Sequence, residues 1–334
     1  MNGILANTHF HTTIHPIDSV KRTMHTAPDR ISPDSVSVVS EMHLSSSQIT
    51  MANVLGWYVD VSSWVPTSPH WQRAMEMLPE IERQQVQRFM FAKDQRLALA
   101  SRLLQRQLIH EVFGVAWSDI RLARTPEGKP YWQRGEEDAP TTWNYNVSHH
   151  GTVVAIVAHW DALVGVDVVQ LSERPKQRGT GMSARDDFFR AFTSYFTHKE
   201  WQYICHSTDE DTQFSAFYRL WSLKESYIKA IGIGLGFDLL RAEFSQVGDS
   251  CDKWLVNIDG QKMTRWSFQS TKLQTPSEPH VVSVALGPCE EQWKPETSSI
   301  FPTAMRSSTL SPVFPEDFTW MHKTLEDLTH LACI

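Results

Sequence analysis

Long apolar runs, paired cysteines and the usual nucleotide-loop and serine-hydrolase signatures are all missing from this 334-residue chain, and each absence removes a class of function. No stretch approaches the ~18 uninterrupted apolar residues of a membrane-spanning helix, so no membrane partner is expected. The four cysteines, Cys205, Cys251, Cys289 and Cys333, are scattered without CxxC spacing. That argues against a zinc site and a disulfide framework, and suits a reducing, cytoplasmic setting. No Gly-x-Ser-x-Gly elbow announces a hydrolase, and no short-period repeat is visible. Gly232-Ile233-Gly234-Leu235-Gly236 follows a predicted helix instead of opening one, so it is no dinucleotide fingerprint. Residues 1–50 contain no Trp and a single aromatic, Phe10, among many Ser and Thr and five of the 15 histidines. Such a segment buries too little apolar area to offset its ordering entropy, so disorder or loose attachment is expected over 1–55.

The remainder can build a core: hydrophobic residues make up 41% of the chain, with 13 Trp. Net charge is −7 but unevenly spread, and no nucleic-acid partner is expected. Between Arg83 and Lys129 there are nine Lys or Arg against four acids, a local +5. This is either a solvated helix face or a field that attracts a phosphorylated or acidic partner. Alternation marks a strand at 56–61, and three- and four-residue spacing predicts a helix over 94–113, stopped by Gly114. The β-branched run Val153–Ala158 and the run 164–169 read as a hairpin. Thr197-His198-Lys199-Glu200 is a capping-box pattern. A long helix is predicted from 212 to 231, with Gly232 as its left-handed cap. Late strands are expected at 253–257, 264–269 and 280–286, and 288–334 reads as an irregular extension. Helices mixed with antiparallel strands indicate an α+β fold.

Several constellations could carry chemistry. Glu225 and Lys229 lie one helical turn apart, in the order that also makes an ordinary surface pair. The helix around them, with Tyr218, Leu220, Trp221, Ile228 and Ile231, is largely apolar, so its charges, Lys224 included, are not all bathed in water. Asp167 sits in a strand otherwise made of Val and Gly, where a carboxylate is costly unless paired or metal-bound. Mg²⁺ is typically held by one or two carboxylates plus substrate phosphates, and Asp167 with Glu225 satisfies that description. A partly buried Glu beside a metal can act as a base, and a neighbouring Lys can neutralise a leaving phosphate. Asn146-Val147-Ser148-His149-His150-Gly151 offers donors for oxyanions. Arg124-Thr125-Pro126-Glu127-Gly128-Lys129-Pro130 is a turn with cations at both ends.

In this order, and closed by Gly-Leu-Gly-Phe at 234–237, these segments resemble the Sfp-type 4′-phosphopantetheinyl transferases over roughly residues 57–287. Phe-Tyr-Arg-x-Trp at 217–221 places the resemblance nearest the eukaryotic branch that serves aminoadipate-semialdehyde dehydrogenase. The resemblance implies a monomer of two pseudo-symmetric α+β halves, 56–160 and 161–287, with coenzyme A bound in the cleft between them. It implies transfer of the phosphopantetheine arm from coenzyme A to a serine of an acyl or peptidyl carrier domain. Carried over, Asp167 and Glu225 would hold Mg²⁺, Glu225 would be the base, and Lys229 would stabilise phosphate charge. Ser148 and His149 would contact the phosphates, His149 with a catalytic part. Asn146 and Lys224 would join the coenzyme A site, and Arg124, Thr125, Gly128, Lys129 and Pro130 would grip its nucleotide end. The chain departs from the pattern where bacterial members carry a further acid, at Val169, and where relatives carry a coenzyme-binding cation, at Gln85, with Arg83 or Arg88 as substitutes. His150 stands where the animal enzyme has Gln. Two other readings are a non-catalytic coenzyme A or carrier-binding module, and a magnesium-dependent nucleotide phosphodiesterase.

Overall fold

The structure, a computed structural model, describes residues 54–135, 143–176, 181–248, 250–289, 312–316 and 318–330. All but the last two residues of the expected loose segment 1–55 lie outside it. Strand β1 (Val54–Asp60) opens the described chain, followed by helices α1 (Pro69–Glu76), α2 (Glu80–Gln87) and α3 (Ala92–Phe113). Next come the short pair β2 (Leu122–Arg124) and β3 (Pro130–Trp132), then β4 (Asn144–His150), β5 (Val153–His159) and β6 (Leu163–Gln170). Helices α4 (Ala184–Ala191), α5 (His198–Ile204) and α6 (Glu210–Ile231) precede β7 (Ala242–Val247), β8 (Ser250–Ile258), β9 (Gln261–Lys262), β10 (Ser267–Leu273) and β11 (His280–Gly287). The chain ends with β12 (Met321–His322) and α7 (Leu325–Thr329).

Two sheets organise these elements. The first runs β12-β1-β5-β4 and the second β6-β11-β10-β8-β7, with β9 paired to β8. Strands β1 and β5 are buried along their whole length, as near-continuous apolar sequences with a partner on each side require. The expected hairpin of 153–158 with 164–169 is corrected. Both edges of β5 are already taken, by β1 and β4, so β6 crosses to the second sheet and pairs with β11. The hairpin is instead β4–β5, turned at Gly151 with φ 61°.

Alternation along the strands sorts the side chains into layers. Trp57, Val59, Val154 and Ile156 pack on one face of the first sheet against Leu97, Leu104 and Leu108 of α3. On the far face of the second sheet, Leu163, Val169, Val281 and Ala285 pack against Phe217, Leu220 and Leu223 of α6. Between the sheets lies a valine-rich layer made by Val153, Ala155 and Val157 with Val164, Val166, Val168, Val282 and Val284. The helices expected at 94–113 and 212–231 form as α3 and α6, whereas α1, α2 and α7 were not expected. The Thr197–Glu200 capping box forms, and α6 starts at the Asp209 N-cap and ends at Gly232 with φ 74°.

The expectation of an irregular extension over 288–334 is corrected within its described part. Phe314, Phe318 and Trp320 pack on the inter-sheet layer, Met321 and His322 add a parallel strand to β1, and Leu328 is fully buried in the first core. The apolar residues of this return lie far apart among Pro, Ser and Glu, so no period betrays them.

Candidate active site

The site forms where α6 crosses β6. Gly165 permits that crossing: a Cβ there would overlap the Ser226 carbonyl oxygen and the Ala230 amide nitrogen. Ser222 and Ser226, both fully buried, lie a turn apart on the face of α6 that meets the strand. The Ser222 hydroxyl donates to the Asp167 carbonyl at 3.1 Å. The adjacent stripe of the helix, Trp221, Glu225 and Lys229, is only half-buried, with Trp221 packed on Phe192 and Phe217 and Lys229 reaching β6. Alternation then points Asp167 at α6, away from the valine layer.

Lys229 Nζ donates to Asp167 Oδ1 at 2.5 Å and to Ser148 Oγ at 2.8 Å. The Ser148 hydroxyl donates in turn to Asp167 Oδ1 at 3.3 Å. One strand from each sheet and a helix thus meet in one cluster, with the Asp167 side chain 9% exposed and that of Lys229 27% exposed. Burial first, and then the Asp167 carboxylate, push the Glu225 carboxyl up to about 7, with Lys229 opposing. Two poorly solvated carboxylates that Lys229 does not fully neutralise make a donor set that a divalent cation fits. Among the described residues no group of three or more His, Cys, Asp or Glu side chains is arranged to hold a metal ion. Val169 is buried in the apolar core beside the helix, so the position of the bacterial third acid supplies no ligand.

Not every expected site residue arrives here. Lys224 is corrected: one position from Glu225, it is rotated by about 100° around the helix and is fully buried. Its amine pairs with Glu200 at 2.9 Å and donates to the carbonyls of Leu239 and Ala242. Glu200 is itself completed by the amides of Thr197 and Phe244. This group ties α5, α6 and β7 together and offers nothing to a ligand. Lys129 is corrected likewise. Its Nζ donates to the carbonyls of Ala230, at 2.8 Å, and Val164, at 3.3 Å. There it caps the C-terminal end of α6, where the helix dipole favours a cation. Burial lowers its pKa to about 7.

The turn before it closes on itself. Thr125 is buried and exchanges hydrogen bonds with Lys129 through backbone and hydroxyl. Gly128 takes φ 90°, and Pro130 is buried at the start of β3. Arg124 alone of this group presents an exposed cation, its guanidinium held by the Gly128 carbonyl at 2.8 Å. Much of the basic segment is likewise spent internally. Arg106 is buried against Glu82 at 2.6 Å, Arg83 pairs with Glu80, and Arg102 donates to Gln85 Oε1 at 2.9 Å. Arg88 and Lys93 stay exposed.

On β4, Ser148 and His149 are neighbours and therefore leave opposite faces of the strand. Ser148 joins Asp167, whereas half-buried His149 shares the face of Tyr145, which packs in the first core. Asn146 Oδ1 accepts the Val166 amide at 2.9 Å, so that oxygen is committed to the protein. Sequence reasoning missed Glu200 as a buried ion-pair partner, and missed Asn144 and His150, which also bind the backbone of β6. The alternation of Asn144, Asn146, Ser148 and His150 along a buried strand was the available signal.

Two family profiles match consecutive parts of the chain. Residues 62–161 match the N-terminal 4′-phosphopantetheinyl transferase family, and residues 163–285 match the 4′-phosphopantetheinyl transferase superfamily. The chain is 35% identical over 236 residues to L-aminoadipate-semialdehyde dehydrogenase-phosphopantetheinyl transferase of Homo sapiens, covering 69% of this chain and 74% of that protein. It is 34% identical over 252 residues to the protein of the same name from Xenopus laevis, covering 74% and 80%. A phosphopantetheinyl transferase of Thraustochytrium sp. is 35% identical over 239 residues, covering 70% and 79%. With the cluster of Asp167, Glu225 and Lys229 formed in the second matched segment, the chain belongs to the 4′-phosphopantetheinyl transferase superfamily, enzymes that transfer the phosphopantetheine arm to carrier proteins.

Proposed function

We propose that Asp167 and Glu225 hold Mg²⁺ for this transfer, that Glu225 is the base for the carrier serine, and that Lys229 steadies phosphate charge. The observation that carries the reading is the convergence of two poorly solvated carboxylates, from β6 and α6, with Lys229 bonded to one of them. Mg²⁺ bound there would offset the charge of the coenzyme A pyrophosphate. The carrier serine Oγ forms a bond to the phosphorus that bears the pantetheine, and the bond from that phosphorus to the bridging pyrophosphate oxygen breaks. The serine proton passes to Glu225, and adenosine 3′,5′-bisphosphate leaves. Lys229, within reach of Asp167 and Ser148, is placed to stabilise the charge that develops on the phosphates.

Arg124 is proposed as a cation for the nucleotide end, with exposed Arg88 as the proposed substitute for the cation missing at Gln85. Ser148 is proposed as a phosphate contact, and His149 as a second one at the end of β4. The two sheets are proposed as the two halves of the enzyme, 56–160 and 161–287, with the site at their junction. The relatives' names point to the carrier of an aminoadipate-semialdehyde dehydrogenase as one substrate, and fatty acid, polyketide or non-ribosomal peptide carriers fit the same chemistry. A cytoplasmic monomer is proposed; no described helix is long and apolar enough to cross a membrane.

The test is direct. Incubating the full chain with coenzyme A, Mg²⁺ and an apo carrier domain should raise the intact mass of the carrier by one phosphopantetheine arm. A carrier of unchanged mass overturns the reading. Unchanged carrier with coenzyme A cleaved would instead identify a phosphodiesterase.

A further inference from the structure

Strands β4 and β6 are each the end strand of their own sheet, and an end strand presents a row of open amides. Here those amides are buried at the junction of the two sheets and need acceptors. Three side chains of β4 supply them. Asn144 Oδ1 accepts the Val164 amide at 3.2 Å, Asn146 Oδ1 accepts the Val166 amide at 2.9 Å, and His150 Nδ1 accepts the Gln170 amide at 2.8 Å. Asn144 also donates Nδ2 to the Ala162 carbonyl at 2.6 Å, fixing the entry to β6. Because His150 Nδ1 accepts, its ring hydrogen sits on Nε2, 3.2 Å from Glu173 Oε2. Each rung joins residues the same distance apart in sequence, on a period of two, so side chains replace the backbone ladder that would normally set register.

At the one remaining place in this alternation, Ser148 turns instead to Asp167 Oδ1 and Lys229 Nζ. We infer that Asn144, Asn146 and His150 form a positioning ladder that holds β6 in register, and so places Asp167 against Ser148 and α6 for the transfer reaction. Register is decisive here because strand side chains alternate. A one-residue slip would turn Asp167 into the layer of Val153, Ala155, Val157 and Val282 and leave a valine facing Lys229. The rungs act through the strand, since each of the three hydrogen bonds described above ends on an amide of β6. This inference rests on the metal reading proposed above and extends it to residues outside the reacting cluster.

Asn146→Ala and Asn146→Asp separate positioning from plain stability, since aspartate keeps an acceptor for the Val166 amide. In the full chain with coenzyme A present, three readouts are taken below the melting temperature: amide hydrogen exchange at Val166, Mn²⁺ binding by electron paramagnetic resonance, and the kcat and KM for coenzyme A. Asn146→Ala should speed exchange at Val166, weaken Mn²⁺ binding and lower kcat by about 10- to 100-fold each, the size typical of groups that orient metal ligands, with KM for coenzyme A nearly unchanged. Asn146→Asp should restore most of the Mn²⁺ affinity. A lower melting temperature with wild-type Mn²⁺ affinity and kcat would overturn the inference, as would an aspartate no better than alanine. Should Asn146→Ala fail to fold, Asn144→Ala, one rung farther from Asp167, carries the same comparison with the same expected direction. A wild-type chain that binds no Mn²⁺ defeats the metal reading itself, whereas loss confined to the rung variants supports the ladder.

Discussion

Replacing Glu225 by Gln, or Asp167 by Ala, should each cut carrier modification by roughly 10²- to 10⁴-fold, the range of a lost general base, while the circular dichroism spectrum stays that of the wild type. Glutamine keeps the shape of the side chain but can neither take the serine proton nor bind a cation with full charge. The fold should tolerate it: burial and the Asp167 carboxylate already push Glu225 toward its neutral form, so the neutral amide relieves a repulsion. Asp167→Ala removes a ligand and also the acceptor that holds Lys229 and Ser148 in place. The Asp167 carbonyl still accepts from Ser222, so β6 should stay docked on α6. Steady-state rates on an apo carrier check both variants. Near-normal turnover in either would show the metal-and-base assignment to be wrong.

The second large effect falls on stability. Lys224→Met should destabilise the protein by about 3–5 kcal/mol, because it strands the Glu200 carboxylate in the core without its cation. For a domain near 200 residues that corresponds to a melting temperature lower by about 6–20 °C. Burial raises the Glu200 pKa, and Lys224 is the largest influence holding it down. Neutralising the partner as well, in Lys224→Met with Glu200→Gln, should therefore recover part of the loss. Thermal unfolding of the two single variants and the double variant measures the coupling. KM for coenzyme A should not rise in Lys224→Met at temperatures where it is folded. A selective rise with unchanged stability would return Lys224 to the coenzyme site.

These two predictions mark where the sequence was legible and where it was not. Residues four apart on a helix share a face, but by spacing alone Glu225 and Lys229 also make an ordinary surface pair; what singled them out, with Asp167, was the apolar sequence around all three. Lys224 was misplaced because its motif neighbours are sequence neighbours, whereas the helix turns it toward Leu220 and Ile228 and into the core. Its partner Glu200 was visible only as a capping-box residue; nothing in the local pattern tells that its second oxygen reaches the Phe244 amide. Lys129 reads in the sequence as one of two cations at the ends of a turn. Its target, the Ala230 carbonyl, is about a hundred residues away in sequence, a contact no local period encodes. The strands with clear apolar alternation or β-branched runs, at 54–60, 153–159, 163–170 and 280–287, were found, whereas β2, β3, β7, β9 and β12 were not, and the expected 264–269 began three residues before β10. The partition into two sheets was missed, because the pairing of β5 depends on both of its edges being filled from elsewhere in the chain. The return of 318–330 to the first sheet escaped for a related reason, since Phe318 and Trp320 on the inter-sheet layer and Leu328 in the first core pack without any repeat that a helix or strand template would match.

The central claim is that β6 and α6 each bring one carboxylate to a shared metal. Equilibrium Mn²⁺ binding in the presence of coenzyme A tests it most directly, comparing the wild type with Asp167→Ala and Glu225→Gln. The wild-type chain should bind Mn²⁺ in competition with Mg²⁺, and each substitution should weaken binding by at least about 100-fold, since each removes one of the two proposed carboxylate ligands. Wild-type affinity retained in either variant, with both folded, would contradict it.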